Sequence, residues 1–167
     1  MGSFLSLPVL ILVASIQASV TPHIRFWDGA PDLVFLFVLS WSIHAPLDES
    51  VVWALVGGIF QDLLSVAPLG LSSVGMVLAV FAVHYLSHQV NRIGFFWLTA
   101  LTLAGSLFQQ MMVWLLFAML GFTMSFLDDF NFVIVPTIIY NLALIWPIYA
   151  VSRWLQRRFA VSRRIES

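Results

Sequence analysis

The sequence contains no cysteine and no lysine, and only 9% of its 167 residues are charged. Each shortage removes a class of function. Without thiols there is no disulfide framework, no thiolate nucleophile and no Cys-ligated metal. Seven cations, all arginine, stand against eight acids and leave a net charge of −1. That is too few cations to neutralise the phosphates of a nucleic acid. A soluble domain carries about 25% charged residues, so this chain cannot cover a globule with polar surface. What it has instead is 61% hydrophobic residues and a mean hydropathy of +0.99. Such a composition describes a small polytopic membrane protein.

A helix needs about 20 apolar residues to cross about 30 Å of hydrocarbon. Six segments are expected to span: Phe4–Val20, Leu33–Ala45, Val51–Ala67, Leu71–Ser87, Phe95–Leu120 and Phe132–Ser152. The second is short. The runs are too long and too unalternating for barrel strands, so the expected fold is an all-α integral membrane protein with six transmembrane helices. Turn chemistry divides them. Thr21-Pro22-His23 ends the first, and Asp28-Gly29-Ala30-Pro31-Asp32 opens the second. Asp48, Glu49 and Ser50 read as cap and first-turn residues of the third. Ala67-Pro68-Leu69-Gly70 joins the third and fourth, and Asp128-Asp129 precedes the sixth. Residues 1–152 thus form a transmembrane domain, followed by a tail (153–167) with Arg153, Arg157, Arg158, Arg163 and Arg164.

Arginine bias puts that tail in the cytoplasm, and an even number of spans puts the N-terminus there too. Arg92 then falls inside and Arg25 outside. Met1-Gly2-Ser3 offers no positive n-region, so the first span is expected to stay in the mature protein. Trp27, Trp41, Trp53, Trp97 and Trp154 fall near span ends, as residues of an interfacial belt do.

Few polar groups lie within the spans. Asp62 has no basic partner in sight, which favours a carboxylate capping the next turn or a neighbouring helix end over a proton or cation site. His84 and His88, four apart, share a helix face but lack a third metal ligand. Ser72 is twelve residues from the nearest histidine on its helix, about 18 Å along the axis, too far for a nucleophile and its base. Aspartyl catalysis needs two carboxylates sharing a proton, and Asp32 sits at an outer boundary with no Gly-rich motif around it. No catalytic, cofactor or metal site is therefore expected. Small residues recur at four-residue spacing: Ala54 and Gly58, Gly75 and Ala79, Ala100 and Ala104. They read as close helix packing within the bundle or as a groove for a partner helix. Gln17, Gln109, Gln110 and Asn141 are expected to hydrogen-bond between helices.

Two stretches resemble the MreD family of bacterial rod shape-determining membrane proteins. One is Pro31-Asp32-Leu33-Val34-Phe35-Leu36. The other runs Gly57-Gly58, then Gln61-Asp62-Leu63-Leu64-Ser65, then Pro68-Leu69-Gly70-Leu71. The length, the six-span spacing and the Arg-rich tail fit as well. The resemblance implies a non-catalytic scaffold in the inner membrane, within the machinery of peptidoglycan elongation. It implies MreC, a single-span protein, as principal partner, with MreB, RodA and a class B penicillin-binding transpeptidase in the wider complex. It also implies a fold like the six-helix substrate-binding subunit of energy-coupling-factor transporters. That fold brings the alternative function, a vitamin-binding transporter subunit, which needs an outward pocket lined by polar and aromatic groups. The tail is expected to lie on the anionic inner leaflet.

Overall fold

The computed structural model describes residues 2–24, 29–64, 69–88, 95–121 and 129–163. Six helices account for most of them: α1 (Gly2–Ile24), α2 (Leu33–Ser42), α3 (Leu47–Leu63), α4 (Leu71–His88), α5 (Phe95–Met119) and α6 (Val135–Arg163). A π-helical turn, Phe130–Ile134, leads into α6. There Val135 donates its N–H to the Phe130 carbonyl, five residues back. Pro136 has no N–H to give to Phe132, which breaks the ordinary four-residue ladder at that point.

Three stretches are long and apolar enough to cross a membrane: Leu7–Ile24, Phe96–Met119 and Phe130–Arg158. Leu33–Ser42 and Leu71–Leu86 are shorter apolar helices. The fold is that of an all-α integral membrane protein. With ten residues, α2 is about 15 Å long, half the hydrocarbon thickness. Its shortness is tolerable because it is the core: every residue from Val34 to Ser42 is buried. It packs on α6, α3, α1 and α4. Non-helical backbone at its ends can lie at membrane depth because protein, not lipid, surrounds it.

Contacts along α2 and α6 show which helix ends meet. Asp32 bonds Asn141 at one end, and the Trp41 carbonyl accepts from Gln156 at the other. Tyr140 ties the end of α1, donating to the Ile24 carbonyl at 2.7 Å. We call the first the loop end and the second the tail end.

Several boundaries differ from expectation. Helix α1 runs through Pro22 to Ile24; the missing proline N–H costs only one rung near the helix end, and Tyr140 caps the last carbonyl. Helix α3 begins at Leu47, so Ser50 lies within it, and its hydroxyl donates to the Pro46 carbonyl at 2.9 Å rather than capping an N–H. Helix α6 continues past Ser152 to Arg163, so Arg153, Arg157 and Arg158 ride on a helix. Arg164, Pro68, Asp128, Arg25, Trp27 and Arg92 lie outside the described residues.

The tryptophans correct the belt expectation. Trp41 and Trp53 are buried and stacked, ring centroids 4.1 Å apart, with Phe37 5.7 Å from Trp53. The Trp41 indole N–H donates to Glu49 at 3.0 Å. Short α2 draws these rings inward to fill the tail end of the core. Trp97 is partly buried against that core, whereas Trp154 is exposed.

Candidate functional site

Pro31 and Asp32, in the first motif, are buried at the loop end. Asp32 is the N-cap of α2: its Oδ1 accepts the Phe35 N–H at 3.0 Å. Its Oδ2 accepts from Gln61 Nε2 at 2.6 Å. Gln61 belongs to the second motif, so the two stretches, 29 residues apart in sequence, meet through one carboxylate. A carboxylate accepting from a helix N-terminus and an amide is stabilised without a counter-cation.

The extended segment before α2 is held from the opposite side by α6. Asp32 donates its N–H to Asn141 Oδ1 at 3.0 Å, and Ala30 donates to Thr137 Oγ1 at 3.3 Å. Asn141 also donates to Ser106 of α5 at 3.1 Å. From α1, Gln17 Oε1 accepts the Val34 N–H at 2.9 Å. Side chains from α1, α3 and α6 thus converge on the start of α2, and α5 joins them through Asn141. The backbone N–H groups of Ala30, Asp32, Val34 and Phe35 thereby find acceptors that lipid could not supply.

Asp62 acts next to this hub. Its Oδ2 accepts the Gly70 N–H at 2.7 Å and its Oδ1 the Ser72 N–H at 3.0 Å. The carboxylate on α3 therefore caps the first turn of α4 from outside that helix. Gly70 makes the turn possible with a φ of +96°, a region that other residues rarely adopt.

The small residues lie between helices. A Cβ at Gly58 would overlap the backbone of Ser73, so α3 and α4 touch main chain to main chain there. A Cβ at Gly57 would sit 3.0 Å from Val38 of α2. At Gly75 it would press on Gln109 Oε1 at 2.7 Å, across α4 and α5. Ala54 and Ala79 are buried in the same core. As the bundle stands, a partner helix has to meet some other face. Ala100 and Ala104, by contrast, are exposed on α5.

Gln61, Thr137, Ser106 and Glu49 were not singled out by sequence reasoning as site residues. Intramembrane amides and hydroxyls were the available signal, but their partners are set by tertiary contact. Asn141 and Gln17 do bond between helices, as expected. Among the described residues no cluster of three metal-ligating side chains occurs.

The fold defines the class: a multi-pass membrane bundle whose buried polar groups are largely turned on its own backbone. The family model for rod shape-determining protein MreD matches residues 1–159, and the chain belongs to that family. No curated protein and no solved structure matches it.

Proposed function

We propose that this chain is a non-catalytic scaffold of the bacterial wall-elongation machinery, which binds and regulates MreC. Family membership across residues 1–159 carries the reading. The polar hub supports it: Asp32, Gln61, Asp62 and Asn141 are engaged in holding helix ends together. MreB, RodA and a class B penicillin-binding transpeptidase complete the expected assembly. Arginine bias favours the inner membrane with the tail end and both termini in the cytoplasm. The partner's single span would lie along α5, where Ala100 and Ala104 allow close backbone approach.

The test is affinity purification of the tagged chain from its native membrane in mild detergent. Near-stoichiometric recovery of MreC is expected. Ala100→Leu with Ala104→Leu should lower that recovery several-fold while the bundle keeps its elution volume. Recovery of paired ATPases and a coupling subunit instead would replace the scaffold with a vitamin transporter, of the kind whose substrate-binding subunit fold the chain is expected to resemble.

A further inference from the structure

Helices α1 and α6 meet at the loop end and part toward the tail end. Tyr140 and Ile24 join them. Two turns further along α6, at Pro147, an apolar groove opens and encloses about 280 Å³. Val9, Val13 and Ile16 of α1 form one wall, Ile148 and Leu155 of α6 the other, and Phe37 of α2 the floor. Each residue lining the groove is apolar. From Pro147 to Leu155 it is about 12 Å long.

A cation stands at its open end. Arg158 follows Val151 by seven residues and Leu155 by three, which brings it onto the same side of the helix. Its guanidinium lies 5.1 Å over the exposed Trp154 ring. Arg157 is the chain neighbour of Arg158, Arg153 lies less than two turns back, and no acidic residue occurs between Phe130 and Ile165.

We propose that this groove binds an anionic phospholipid, with one acyl chain between α1 and α6 and the phosphate on Arg158. Charge favours a lipid over a partner helix: an all-apolar channel beside an exposed arginine matches an acyl chain and an anionic head together. A polar small molecule finds no group in the lining to orient it. An acyl chain needs none, and an arginine held over an aromatic ring is a positioned fork for a phosphate. Binding itself does not depend on the scaffold reading. That the lipid comes from the inner leaflet rests on the orientation given above.

The experiment is native mass spectrometry of the purified, delipidated full chain with phosphatidylglycerol or phosphatidylcholine of identical acyl chains. Phosphatidylglycerol should be retained about fivefold more tightly, the ratio one arginine at an anionic surface supplies. Arg158→Gln, at an exposed position, should abolish the preference without changing the melting temperature. Val13→Trp should weaken both lipids by filling the groove. Equal retention of the two lipids, a preference that survives Arg158→Gln, or unchanged binding in Val13→Trp would each overturn the proposal. So would a photo-crosslinker at Val13 that captures a protein helix in native membranes instead of lipid. Loss of MreC co-purification with lipid retention intact would count against the scaffold alone.

Discussion

The two ends of the bundle are held by different means. At the loop end, Asp32, Gln61, Asn141, Ser106 and Gln17 link helices through hydrogen bonds, and Asp62 fixes the start of α4. At the tail end, Phe37, Trp41 and Trp53 stack around one buried carboxylate, and α1 stands off from α6 across an apolar groove. In water both ends would be closed by the hydrophobic effect. In a bilayer, apolar side chains gain little by leaving lipid for each other. Helices are therefore closely joined where backbone groups need partners or where glycine admits main-chain contact. Where only aliphatic side chains face one another, a gap can persist and lipid can fill it.

The largest effect should come from the closest contact. Gly58→Leu forces side-chain atoms into the Ser73 backbone, and backbone cannot rotate away as a side chain can. The cost should exceed about 3 kcal/mol, the upper end for overfilling a packed core. Little monodisperse protein should survive detergent extraction, as read by size-exclusion chromatography. Gly75→Ala meets the movable end of Gln109 instead and should be recovered in good yield. Equal recovery of Gly58→Leu and wild type would break the claim that main-chain contact sets the α3–α4 spacing.

Next come the hub residues. Asp32→Ala removes a helix cap and the acceptor for Gln61, for about 2–3 kcal/mol. Asn141→Leu strands the buried Asp32 N–H and should cost about 1–3 kcal/mol. Thermal melts in detergent would measure both, and a double-mutant cycle between positions 32 and 61 should give a coupling of about 1 kcal/mol or more. At the tail end, Trp41→Phe keeps most of the ring stack and loses one bond to Glu49, so about 1–2 kcal/mol is expected. A tail-end loss larger than the hub losses would reverse the comparison.

These residues differ in how far the sequence announced them. Helical class, helix number and the capping role of Asp62 were legible, because apolar run length and a carboxylate set in an apolar stretch just before a turn are local signals. The roles of α1 and α2 were not. Both are apolar, yet α2 is buried on all sides while Ile11, Leu12 and Ile16 of α1 are exposed. Hydropathy measures transfer from water and does not distinguish a protein core from lipid. The same ambiguity misplaced Trp41 and Trp53, whose nearness to span ends suggested an interface. Asp32 was legible as part of a motif but not as its junction, since the reach of Gln61 across 29 residues depends on how α2 and α3 pack. The π turn before α6 left no signal beyond Pro136.

The smallest expected effect belongs to His44, in the tail-end turn between α2 and α3. Burial, and then the charges of Arg153 and Arg157, hold its imidazole below the ordinary value of 6.5. A neutral ring can accept from the Tyr149 hydroxyl, 3.4 Å from Nε2; a protonated one cannot. The unfolded chain therefore takes up the proton first. The stabilisation is complete above pH 6.5, declines as pH falls from there through the lower folded value, and levels off below it. Because His44 keeps much of its surface exposed, the decline should be slight. Melting temperatures between pH 7.5 and 5 should fall more for wild type than for His44→Gln. Arg153→Gln with Arg157→Gln should flatten the wild-type slope partway, since burial is the larger cause. Parallel curves for wild type and His44→Gln would move the pH sensitivity elsewhere and leave the tail end held by its aromatic stack alone.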